Sequence, residues 1–139
     1  MSLYKKTDLG IIKISNVLFA QIIINSFKQK ECVGKVWPAT SKGKLIGSEQ
    51  KFNVSDVASH ILVKHSSDGM NLEIEFSIII QFGNSISAIT TVIADYIADS
   101  ICNKLGKKPN GIKIHITGIK SKQIARRDLE VVKQYEHLG

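Results

Sequence analysis

The chain has 139 residues, 43% hydrophobic and 22% charged, with 19 Lys and Arg against 12 Asp and Glu for a formal net charge of +7. This length predicts one domain whose core needs no disulfide or metal, and the composition excludes a disordered tail protein. The +7 admits nucleic acid, anionic lipid or an acidic protein as partner and does not choose among them.

Lys5 and Lys6 precede apolar residues as in a signal peptide, but Asp8, Lys13, Asn16, Gln21 and Asn25 interrupt the run and no small-x-small cleavage site follows. Residues 10–15 read as a short strand, with Ile12 and Ile14 opposite Lys13. Ser15 or Asn16 can then cap a helix running to about Lys30, with Val17, Ala20, Ile23, Ile24 and Phe27 at helical spacing. Lys28 and Lys30 would fall in its last turn, where cations suit the negative helix end. Residues 35–58 lack periodicity and are punctuated by Trp37-Pro38, Ser41-Lys-Gly43 and Ile46-Gly47-Ser48. They predict a long loop holding at most a short strand or helical turn.

Alternation returns at residues 59–65, and Ser66-Ser-Asp-Gly69 reads as a tight hairpin turn. The clearest strand follows, with Leu72, Ile74, Phe76, Ile78, Ile80 and Phe82 apolar and Glu73, Glu75, Ser77 and Gln81 between them. Asn84 or Ser85 can cap a second helix, whose stripe is Ile86, Ile89, Ile93, Ile97, Ile101 and Leu105. The glycines of 106–111 and Pro109 end it. Residues 112–117 form the last strand, apolar on even positions. In the charged tail, Ile124, Leu129, Val132 and Tyr135 are spaced for an amphipathic helix.

The predicted fold is α+β in two layers. It is a small mixed sheet in β-α-β-β-α-β order with two helices on one face, because each strand shows one apolar face, and a C-terminal amphipathic helix follows. Residues 1–119 would be the domain and 120–139 a basic tail. The open face of the sheet would carry Lys13, Lys64, Glu73, Glu75, Gln81, Lys113, His115 and Thr117. No run approaches the roughly 18 apolar residues of a spanning helix, since the best candidate, residues 86–101, contains Asp95 and Asp99.

Three stretches in this order resemble the alkaline shock protein family, the envelope stress proteins of Gram-positive-type bacteria. Leu9-Gly-Ile-Ile-Lys-Ile-Ser-Asn-Val-Leu-Phe-Ala20 is similar to the family's opening strand and capped helix. Glu75-Phe-Ser-Ile-Ile-Ile-Gln-Phe-Gly-Asn-Ser-Ile86 resembles its long strand ending in aromatic-Gly-x-Ser-Ile. Gly111-Ile-Lys-Ile-His-Ile-Thr-Gly-Ile119 resembles its closing strand. Departures are a first helix rich in Phe and Ile and Phe82 in place of the usual Tyr; residues 35–58 and the tail match no family pattern. The resemblance implies a cytoplasmic, non-enzymatic, self-associating protein, linked to the inner membrane face through a separate protein partner. Some relatives are instead accessory to fatty-acid metabolism.

The chemistry-bearing residues support no enzyme. Asp95 and Asp99 lie one helical turn apart but lack the further ligands of a cation site. Glu73 and Glu75 share a strand face, where lysines of adjoining strands can neutralise them, and His115 has no nucleophile context. The 106–111 turn is neither a phosphate-binding loop nor a dinucleotide fingerprint. Cys32 and Cys102 show no metal spacing and read as packing thiols. No catalytic residue, metal or cofactor is expected.

Two basic groups remain as binding candidates: Lys104, Lys107 and Lys108 after the second helix, and Lys120, Lys122, Arg126 and Arg127 in the tail. Either could meet a partner or an anionic surface. An RNA-binding module is the rival reading, weakened because the exposed strand positions lack stacking aromatics.

Overall fold

The computed structural model describes residues 3–7, 10–14, 16–47, 53–65, 71–121 and 124–135, with side chains left out for 3–14 and 65. The fold is α+β, a mixed five-stranded sheet with three helices. A separate antiparallel hairpin joins β1 (Leu3–Thr7) to β2 (Gly10–Ile14). The expected opening strand therefore forms at Gly10–Ile14 but pairs with β1, not with the main sheet. Lys13 leaves the expected open face with it.

Helix α1 (Asn16–Phe27) buries Phe19, Ala20, Ile22, Ile23, Ile24 and Phe27. It stops short of Lys28 and Lys30, because the Lys28 and Gln29 N–H groups turn back to Asn25 and Ser26 carbonyls and begin a run of turns over 28–35. Asn16 is the first helical residue, and its side-chain oxygen accepts no hydrogen bond among the described residues; Ser15 lies outside them. The 35–58 stretch contains β3 (Val36–Ala39) and α2 (Val54–Ala58), the latter capped by the Asn53 side chain. Next comes β4 (Leu62–His65); the Ser66–Gly69 turn lies outside the described residues.

Strand β5 (Leu72–Gln81) is central. Its first half pairs with β4 and its second half with β3, while β6 (Gly111–Lys120) runs parallel on its other side. Between β5 and β6 lies α3 (Ile86–Leu105). The Ser85 hydroxyl accepts the Ala88 N–H at its start, and Gly106 ends it at φ 83°, a left-handed conformation that glycine adopts without a Cβ penalty. The core lies between one sheet face, with Ile74, Phe76, Ile78, Ile80, Ile112, Ile114 and Ile116, and the helices, with Ile93, Ile97 and Ile101.

The tail is not a helix. Residues Ile124–Gln134 form β7, antiparallel to β6 along its length. The helical spacing of Ile124, Leu129 and Val132 loses to the bare edge of β6, whose backbone groups need partners, and Val131-Val132 suits a strand. Period two is visible at its end, where Val131, Lys133 and Tyr135 are half-buried and Val132 and Gln134 exposed.

Candidate functional site

The sheet face turned away from the helices carries Lys64, Glu73, Glu75, Ser77, Lys113 and His115, as the alternation predicts, and β7 adds Glu130 and Val132. Register places Lys64 beside Glu73, Lys113 beside Glu75 and Val132, and His115 beside Ser77 and Glu130. A shallow groove of about 300 Å³ runs over this face, lined by Leu62, Lys64, Glu73, Lys113, Glu130 and Val132 among others.

His115 lies between two carboxylates. Its Nε2 is 2.5 Å from Glu75 Oε1 and its Nδ1 3.3 Å from Glu130 Oε2, while Lys113 Nζ is 4.0 Å from Glu130 Oε1. The Nε2–Glu75 contact is a hydrogen bond, which places a hydrogen on Nε2, whereas Nδ1 and Glu130 are neighbours in distance only. The hydrogen bond from His115, followed by the charges of His115, Lys113 and Lys64, holds the Glu75 carboxyl below its ordinary range against partial burial. The two carboxylates face opposite ring nitrogens, so this trio cannot converge on one cation, and no group of metal-ligating side chains occurs among the described residues. The geometry suits cross-strand charge pairing.

The basic candidates divide between the two ends of β6, about 30 Å apart at the usual rise per residue. Lys104, Lys107 and Lys108 gather where α3 ends, with Lys108 Nζ 5.6 Å from the Tyr135 ring centroid. The Tyr135 hydroxyl donates to Asp95 Oδ1 at 3.4 Å. Burial, then the Asp95 charge, push its pKa up to about 12, so Asp95 helps tie β7 to α3. At the other end Lys120 Nζ sits 5.4 Å from the Trp37 ring centroid, and Arg126 Nη2 donates to the Lys42 carbonyl at 3.2 Å. Ser41, Lys42, Thr117, Arg126, Arg127 and Asp128 line an open depression of about 520 Å³ there. Lys122 lies outside the described residues.

Lys42 is the member that sequence reasoning missed. Its one signal was the Ser41-Lys-Gly43 turn, which lays Gly43 close against Thr117. Glu130 was missed because a helical tail would have carried it elsewhere. Of the thiols, Cys32 is fully buried, and burial, then Glu31, push its pKa up, while Cys102 is partly buried.

No described helix is long and apolar enough to cross a membrane. A family model for alkaline shock proteins, described as having a cell envelope-related function, matches residues 4–121. No match was found among curated proteins or solved structures.

Proposed function

Because the chain belongs to the alkaline shock protein family, whose function is cell envelope-related, we propose that it is a non-catalytic scaffold of envelope homeostasis. It joins copies of itself to a membrane-linked protein partner, working in the cytoplasm at the inner membrane face. The observation that carries this reading is β7. It closes the sheet with an outer edge that no described strand covers, and Leu129 and Val132 on it are 43% and 45% exposed. Such an edge is a template for pairing with another strand.

The β7 sequence is complementary to itself at four of its pairings and opposes Asp128 to its own copy at the centre. In an antiparallel pair of two copies centred on Asp128, Arg126 faces Glu130 and Ile124 faces Val132, each twice. Light scattering over a concentration series tests this. The wild type is expected to assemble, and Arg126→Glu, which sets acid against acid, to weaken assembly about tenfold. A chain that stays monomeric throughout, or a variant that assembles like the wild type, rejects pairing along β7.

A further inference from the structure

β5 and β6 run parallel and finish at the same end of the sheet, where β3 and β7 begin and α3 starts. The Phe82 N–H donates to the Lys120 carbonyl at 2.7 Å and the Gln81 N–H to the Lys35 carbonyl at 2.8 Å, and Ile124 is the register partner of Lys120. These ties bring the 28–35 turns, the 82–85 turn and the start of β7 together.

Three large apolar side chains are left in water at this end: Phe82 at 71% exposure, Val33 at 60% and Ile124 at 38%. Phe82 is the most exposed of the large apolar residues described, in a chain whose isoleucines are mostly buried. The same joined segments carry Lys28, Lys30, Lys35 and Lys120, and Glu31 is the one acid among the described residues of 28–35, 82–87 and 120–127. The first turn of α3 holds no acidic residue, so its positive end adds to the same field. The acids of the open face, Glu73, Glu75 and Glu130, lie toward the other half of the sheet.

Exposed apolar side chains among cation-rich turns are the composition of an interfacial anchor: the rings and aliphatic groups enter the headgroup layer while long lysines reach lipid phosphates. We propose that this end of the domain docks directly on an anionic phospholipid bilayer, with Phe82 and Val33 entering the interface and Lys28, Lys30, Lys35 and Lys120 meeting the headgroups. A nucleic acid fits less well, since Val33 and Ile124 offer no stacking surface and Trp37 is buried beneath Lys120. The inference goes beyond the scaffold reading and stands without it, because neither self-association nor a protein partner is needed for lipid contact.

Co-sedimentation of the full chain tests the proposal, with vesicles of equal parts phosphatidylglycerol and phosphatidylcholine against vesicles of phosphatidylcholine alone. Binding is expected on the anionic vesicles only. Phe82→Asp should weaken it about tenfold or more, and Lys30→Gln with Lys35→Gln by about fivefold for each lysine. Both Phe82 and Lys30 are exposed, so their substitution leaves the core alone; Phe82→Ser serves as a second variant, with circular dichroism reporting the fold. Lys107→Gln with Lys108→Gln, at the opposite end, should change binding by less than about twofold. The proposal is overturned if Phe82→Asp binds like the wild type or if the opposite-end pair loses as much. It is equally overturned if the chain binds a single-stranded oligonucleotide and ignores the vesicles.

Discussion

Strands β5 and β7, ten and eleven residues long, flank β6 on its two sides, yet one is mostly buried and the other mostly exposed. β5 owes its place to side chains: Leu72, Ile74, Phe76, Ile78 and Ile80 pack beneath the helices while β3, β4 and β6 take up its backbone groups. β7 owes its place to backbone pairing with β6 and to a few fastenings. Val131 and Tyr135 touch the core, Glu130 meets His115, and the Tyr135 N–H donates to the Asn110 carbonyl at 3.0 Å. Asn110 in turn binds Leu72 through its N–H at 2.8 Å and its side-chain oxygen at 3.0 Å, so one residue ties together the start of β5 and the end of β7. A strand secured by burial is rigidly specified, and one secured by its neighbour's edge keeps its outer side free for a partner.

The contrast is broken most severely in β5. Ile78→Ala removes a side chain with 0% exposure and should cost about 2–5 kcal/mol in urea unfolding, whereas Val132→Ala in β7 should change stability by less than about 0.5 kcal/mol. Equal losses would mean that β7 is as firmly specified as β5.

The next effect lies where β6 touches both strands. A Cβ on Gly118 would come within 2.7 Å of Ile124 Cγ2 and 3.4 Å of Ile79 Cγ1, beside the register shift at Ile116/Gly118. Gly118→Ala should cost about 1–3 kcal/mol, and adding Ile124→Ala should recover most of it. No recovery would place the strain against Ile79 or the Ala125 carbonyl and not against the Ile124 side chain.

The smallest effect is a pH dependence at the end of β7. Tyr135 ionises at about 12 in the fold against an ordinary value of 10.0, so the folded state holds its proton longer. The stability this contributes is complete below pH 10.0 and is lost as pH rises toward 12. Tyr135→Phe should lower stability by about 1 kcal/mol at neutral pH through the lost bond to Asp95 and should show a shallower alkaline decline. Urea midpoints followed upward in pH check this, and parallel curves for the two proteins would refute it.

The elements that carry their own pattern are legible in the residue order alone. The alternation from Leu72 to Gln81, the isoleucine stripe of α3 with its Ser85 cap, and the even-numbered isoleucines of β6 each follow from burial on one side. The family resemblance is legible for the same reason, since its three motifs sit on β2 with the start of α1, on β5 with the turn into α3, and on β6. The charged open face follows too, because a period of two fixes which residues oppose the core. What escapes are placements that depend on distant chain. The apolar residues of the tail fit a helix as well as a strand, and the bare edge of β6 decides between them.

Charge shows the same division. A net +7 and its clustering in two stretches are properties of the residue order. Their separation to opposite ends of β6, and the meeting of the 28–35 turns with Lys120 and an exposed Phe82 at one end of the sheet, arise from pairings between residues as far apart as Lys35 and Gln81 or Phe82 and Lys120. Local periodicity is written in neighbouring residues, whose shared face is a matter of backbone geometry. A surface patch is written in contacts across the sheet, which exist once the chain has closed on itself.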